Sequence, residues 1–573
     1  MAGWQQQTGP TDRKRAHRLT AGVLALLLLG GAVSAGAASD RGFEAGRLWL
    51  SEASLGDASP EAREWRARRD RVNVGKALLA AIGAGLLGWG AWQRRRGHEP
   101  RARRLRDRGL VLLGVLGFAA WWNFGLFNYP DFLHPHEIFH YVIGAKYFPE
   151  LGYTRLYECT VIADVEAGFG DAVARRQIVD LHSYGVVPAA QVAEHPERCT
   201  DHFTPERWTL FQHDMTWFRS RMAPADWEGL QHDHGYNPTP VWGILGRLFV
   251  GSGPLFEARI ATLSLIDPLL ELLLWGFAFW GFGWRAGCVA LLFWGTNHPA
   301  EYGWVGGAYL RHDWLLASVA GIALLRRGSA GAGGFLLGWA ALLRVFPLIF
   351  FVPFVLRAVV ASLRARKLVI EPSHVRVFAG ALSAAAVALP LSLWSAGTSA
   401  WPAFTDNVRL HAASPSNNTL GIGTLIAFSP QSRETTLRAA GADVDAAWKQ
   451  ARRENRSTRW PLFALLATGL IVLTARAART AQNWELAILG VGLVPVCVDV
   501  SSYYSAAFLA YGFLSARQPA IGAALCLLSL AGWAAAARWL AWDDISVATS
   551  AALLVFVAAA ACMLTTRRDV PGD

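Results

Sequence analysis

His136, Glu137 and His140 stand in the order His-Glu-x-x-His, and Asn128, Tyr129, Asp131, His134 and Tyr141 crowd around them. Side chains of these types can do two kinds of chemistry. A carboxylate, Glu137 or Asp131, can take the proton from an attacking hydroxyl. Alternatively, His136 and His140, one turn apart on a helix, can bind zinc while Glu137 activates a water. The zinc reading needs a further protein ligand, and His134, His182, His232 and His234 are its candidates. The proton-transfer reading needs no bound metal, although a divalent cation could assist it.

Other reactive groups are scattered along the chain. Arg311, His312 and Asp313, with His298 and Glu301, fall at the ends of two apolar stretches. Asn417 and Asn418 suit sugar hydroxyls or a turn. Asp499 stands close before Tyr503 and Tyr504. Arg344 lies inside an apolar segment, three residues before Pro347. An arginine at mid-membrane costs roughly 3 kcal/mol or more unless it meets an anion or a polar cavity. Arg344 therefore reads as a phosphate contact, or as the ion-pair partner of Asp267 or Glu271.

The elements that must hold these groups are membrane helices. Of the 573 residues, 53% are hydrophobic and 17% charged, against roughly 25% charged in soluble domains. Apolar runs long enough to cross about 30 Å of hydrocarbon recur throughout, and they predict an all-α polytopic protein of about 13–14 membrane segments. The net charge of +11 is arginine retained in cytoplasmic loops, so nucleic acid is not an expected partner. Residues 1–128 carry the first helices. Residues 19–38 read as an uncleaved first span, though they also fit a signal peptide. Residues 60–71 read as a separate, solvated helix before a span at 77–92. Eight arginines between Arg94 and Arg108 then fix the cytoplasmic side.

Residues 129–236 form a long polar loop on the opposite face, with short helices expected at 203–217 and 226–234. Cys159 and Cys199 both fall in it, and on an extracytoplasmic face a disulfide between them is expected. Residues 237–396 hold the central spans, among them 259–284 and 286–298. A broken hairpin is expected near 334–356, turning at Arg344 and Pro347. Residues 397–460 are a second outer loop. Residues 461–573 return to spans, including 503–514, and end at Arg567 and Arg568 on the cytoplasmic side.

The spacing of Glu137, Tyr141, Ala145, Gly152 and Tyr157 resembles the first outer loop of GT-C glycosyltransferases. The closest likeness is to the bacterial polyprenyl-phosphate-mannose-dependent enzymes of glycosyltransferase family 87. Tyr236-Asn237-Pro238-Thr239-Pro240 resembles the family's Tyr-Pro-Pro element. Leu343-Arg344-Val345-Phe346-Pro347 resembles its Lys-x-x-Pro segment, and Asn417-Asn418-Thr419-Leu420 its Asn-Gln-Ser-Leu element. Two positions depart from the pattern: the acid is Glu where the family has Asp, and Arg344 stands for Lys. The resemblance implies inverting transfer of a sugar from a polyprenyl-phosphate donor to an acceptor hydroxyl of a glycan, lipid or protein. This would take place on the extracytoplasmic face of a bacterial inner membrane. Glu137 or Asp131 would be the base. His136, His140, Tyr141, Arg311, His312, Arg344, Asn417 and Asn418 would line the substrate site. A membrane zinc peptidase and a transporter or flippase of lipid-linked glycans are the rival readings, the second drawing on Asp267, Glu271 and Arg344.

Overall fold

The computed structural model of the chain describes residues 60–97, 103–128, 132–439, 444–539 and 541–565. The expected span at 19–38, Asp131, Arg567 and Arg568 lie outside them. The described residues are mostly helical, with two short strand pairs. Seven helices are long and apolar enough to cross a membrane. They turn large apolar side chains outward, with Leu382 70%, Trp394 86% and Val555 69% exposed. Such surfaces aggregate in water and are stable against lipid tails. The chain is an all-α multi-pass membrane protein.

The longest of the seven, Glu257–Thr296, doubles back on itself. Gly283 sits inside it at φ +76°, a left-handed backbone that costs glycine little. The rings of Trp275 and Trp294 consequently lie 5.3 Å apart, where a straight helix would hold them about 28 Å apart. The boundary between two spans expected beside Trp284 is this turn.

Pro347 breaks a second apolar stretch. Its ring would clash with the carbonyl of Leu343 in a continuous helix, and the helix Ala330–Leu343 ends there. Arg344 is extended (φ −144°, ψ 116°), and a 3₁₀ turn, Phe346–Phe351, leads into the helix Val352–Ala365.

Three expectations are corrected. Residues 60–71 are not a separate helix, because Pro60–Arg95 is one element of 36 residues. Val72, Asn73, Val74, Gly75 and Lys76 join the two pieces with no proline among them, and the single glycine costs about 1 kcal/mol in a helix interior. At about 54 Å long, the helix outreaches a hydrocarbon layer of about 30 Å. The stretch at 503–514 is not an α-helix: Ser502–Ala516 winds as a buried 3₁₀ helix. Residues 226–234 are not one helix, since Pro224–Gly229 passes into a 3₁₀ turn and then into extended backbone at Asp233.

The polar loop folds into a cap. Its helices Leu156–Glu166 and Pro205–Arg221 pack around Phe211, Phe218 and Trp227. An antiparallel hairpin, Gln177–Asp180 with Gly185–Pro188, completes the cap, and its Val-Val and Ile-Val pairs suit strands. Cys159 and Cys199 are joined by the expected disulfide.

Candidate functional site

His134 opens the site. Its imidazole caps the short helix Pro135–Ile138 by accepting from the Glu137 N–H at 3.3 Å. Its other ring nitrogen lies 3.0 Å from the Gly303 carbonyl oxygen, and its own N–H donates to the Gly307 carbonyl. Gly307 is required here: its φ is +74°, and a Cβ would overlap the Phe132 carbonyl oxygen. The loop before Glu137 is thereby sewn to the loop before Arg311.

The next turn, Phe139–Ile143, is a π-helix, a wide turn frequent at functional sites. The His140 Nδ1–H donates to the His136 carbonyl at 2.7 Å, and Nε2 lies 2.7 Å from the Tyr157 hydroxyl. Burial pushes His140 down to about 4, with the neighbouring His136 adding to the shift. His136 lies 2.9 Å from Asp233. Burial lowers the His136 pKa, but the bond to Asp233 outweighs it and the net shift is upward.

The Arg311 corner is held from below. Leu310 has φ +51°, a conformation costing a side-chain-bearing residue roughly 1–2 kcal/mol. Its reward is geometric. The N–H groups of Arg311 and His312 both donate to Asp267 Oδ1, at 2.8 and 3.0 Å. The His312 ring lies 2.7 Å from the other Asp267 oxygen and 3.3 Å from Glu271. Asp267 and Glu271 therefore serve His312 and the backbone. They are not the partners of Arg344, whose guanidinium meets the Asp313 carboxylate instead.

With its backbone fixed, Arg311 sends its guanidinium to Glu137, 2.8 Å from Oε2 and off the straight hydrogen-bond line. It also donates to the Tyr141 hydroxyl and stacks over the rings of Tyr141 at 4.2 Å and Tyr503 at 5.1 Å. Arg344 meets Asp313 at 3.9 Å and lies 5.9 Å above Trp242. Its charge also acts on Glu137 and on Arg311. Burial raises the Glu137 pKa above the ordinary value, against the opposing pull of Arg311 and His136.

Glu137, Tyr141, Arg311 and Arg344 thus come together, with His136 and His140 one turn away. His312 is buried and occupied by carboxylates. Asn417 and Asn418 make no hydrogen bond with this cluster among the described residues. The Asn418 carbonyl accepts from the Ser502 N–H at 2.7 Å, beside Tyr503, and the Asn417 carbonyl accepts from Ser546. Asp499 holds the Thr424 N–H and Arg456. Of the other end groups, His298 packs on Trp533 and Trp542, and Glu301 lies 3.8 Å from Arg69.

Sequence reasoning missed two residues. Trp242 touches Tyr141, donates its indole N–H to the Leu310 carbonyl and sits under Arg344. Its position just past Pro240, where Thr239 caps the helix Pro240–Val250, was the available signal. Asp233 completes a group with His136 and His140 whose ligand atoms lie within 4.8 Å of one another. His232 and His234 were the expected partners. Asp233 takes the place beside His136, and His234 lies behind it, its ring 3.1 Å from the other Asp233 oxygen.

No protein-family model, curated protein or solved structure matches the chain. The class that the fold defines is a helical multi-pass membrane protein with a disulfide-linked polar cap.

Proposed function

We propose that the chain is a GT-C-type integral-membrane glycosyltransferase of about 13–14 membrane segments. It moves a sugar from a polyprenyl-phosphate donor to an acceptor hydroxyl, with inversion, on the extracytoplasmic face of a bacterial inner membrane. The observation that carries this reading is one carboxylate, Glu137, 2.8 Å from Arg311 and within the field of Arg344. In the reaction the acceptor hydroxyl loses its proton to Glu137 as its oxygen attacks the anomeric carbon. The bond to phosphate breaks, and the leaving lipid phosphate is a stable anion that needs cations rather than an acid. Arg311 and Arg344 supply them; guanidinium suits phosphate oxygens in pairs.

A phosphate arriving at Arg311 competes with Glu137 for the guanidinium. Released from it, the carboxylate becomes more basic, so donor binding readies the base. Tyr141, His136 and His140 line the acceptor side, His312 positions Arg311, and Asn417 and Asn418 belong to the outer wall of the substrate site, Asn418 being tied to Ser502 beside Tyr503. The partners are membrane lipid, the lipid-linked sugar, and an acceptor glycan, lipid or protein; a divalent cation could assist. The test is sugar transfer from a polyprenyl-phosphate donor in membranes carrying E137Q. Full activity of E137Q removes Glu137 as base and moves the role to Asp131, which D131N checks.

The His136, His140 and Asp233 group favours a second reading, a zinc peptidase. Stoichiometric zinc in the purified chain, lost in H140A, together with peptide cleavage, would support it.

A further inference from the structure

A second polar site lies in the cap and shares no residue with the Glu137 cluster. It is a cavity of about 800 Å³, with Arg155, Glu158, Asp180, His182, Glu194 and His195 among its lining residues. Glu158, Asp180 and His182 converge there, with one ligand atom from each within 4.8 Å of the others.

Glu158 is the residue without an explanation. It lies on the first turn of Leu156–Glu166, next to the Cys159–Cys199 bridge, and is only 8% exposed. Neighbouring buried acids are all answered: Asp164 by Arg176 and Trp227, Asp214 by Lys146 and Tyr147. The Glu158 carboxylate accepts no hydrogen bond and joins no ion pair among the described residues, and it lines the cavity. Burial holds its pKa above the ordinary carboxylate value, outweighing the fields of His182, Arg198 and Arg155 that act on it. Asp180, by contrast, is fixed from behind. It accepts from the His182 N–H at 3.0 Å and from the Ser183 hydroxyl at 2.6 Å, and the His182 ring lies 3.2 Å away.

We propose that the cap binds one divalent transition-metal ion through Glu158, Asp180 and His182. Two carboxylates and an imidazole are a mixed oxygen and nitrogen set. That set suits Mn²⁺ or Zn²⁺ rather than Mg²⁺ or Ca²⁺, which favour oxygen alone. Three protein ligands leave coordination positions for water or for an oxygen-rich molecule in the remaining cavity. The ion supplies the direct partner that Glu158 lacks.

The test uses the purified full-length chain, stripped of metal and titrated with Mn²⁺, with the unbound ion followed by electron paramagnetic resonance and Zn²⁺ as competitor. The expected result is saturable binding that E158Q and H182A each weaken by about tenfold or more and H140A leaves in place. His182 is half exposed, so H182A keeps the fold, which an unchanged metal-free melting temperature verifies. Absence of saturable binding of either ion overturns the proposal. So does a site that survives both E158Q and H182A but disappears in H140A, which would place the ion beside Glu137.

Discussion

The Glu137 carboxyl, the proposed base, has its proton affinity set by two opposing influences. Burial raises its pKa and Arg311 lowers it. Replacing it by Gln should reduce sugar transfer by about 10²- to 10⁴-fold, the range lost with a positioned general base. In the proposed transfer its ionised form is the active one. The acid limb of the rate profile should therefore lie above the ordinary Glu value of about 4.3. R311A removes the lowering influence, so the limb should move to still higher pH; a move to lower pH would contradict the pairing. His140 offers a separate measurement. Its folded pKa, about 4, lies below the unfolded value of about 6.5. As pH falls through that window the unfolded chain takes up a proton that the folded chain refuses. Stability should fall with it, by an amount on the order of 3 kcal/mol. Thermal melts between pH 7 and 4 should show a flatter profile for H140N than for the parent chain. Glu137, Arg311 and Arg344 were legible in the sequence because charge beside apolar runs stands out. Asp233 was not, since its partner His136 is distant in the chain and nothing local marks it out from the histidines on either side.

Two corners of the backbone aim these side chains. One is Gly307 against Phe132, the other the Asp267 carboxylate under Arg311 and His312. Any side chain at 307 meets both a left-handed φ and a carbonyl oxygen. G307A should cost activity through displacement of the Glu137 loop, with the cap disulfide still formed. Asp267 answers three donors in a buried place, so D267N should destabilise the chain by about 3–5 kcal/mol, the range for opening one side of a buried pair. A melting temperature unchanged by D267N would deny it that part. The break at Pro347 and the turn beside Trp284 could be read from local rules, because proline and glycine act within a few residues. The continuity of Pro60–Arg95 could not. Hydropathy changes along that helix while its hydrogen-bond ladder does not, and hydropathy was the signal in use.

At the scale of the molecule, hydrophobic helices and a polar cap are set apart, and the cap carries its own staple. The two cysteines are 40 residues apart, and closing a loop of that size is worth about 4 kcal/mol in the chain-entropy account. C159S should lower the stability of the cap by a similar amount, read as faster proteolysis between residues 160 and 199. Disulfides persist in oxidising compartments. A membrane-impermeant thiol reagent applied to intact cells should therefore reach a cysteine placed at His182 and spare one placed at Arg95. The class of fold was legible because composition alone separates lipid-facing from water-facing chain. The hairpin in the cap was not, because its strands are too short to leave a periodic trace.

The 3₁₀ winding of Ser502–Ala516 has a consequence for tolerance to insertion. Its fifteen residues rise about 2.0 Å each, so they reach about 30 Å, some 8 Å further than the same number in an α-helix. Three residues complete one revolution, and every third side chain points in the same direction. Adding three residues after Ala510 would keep each downstream side chain on its original bearing, while adding four would rotate them all by about a third of a circle. Protein chemists shifting the register of a buried membrane helix ordinarily count in sevens or fours; here the unit is three.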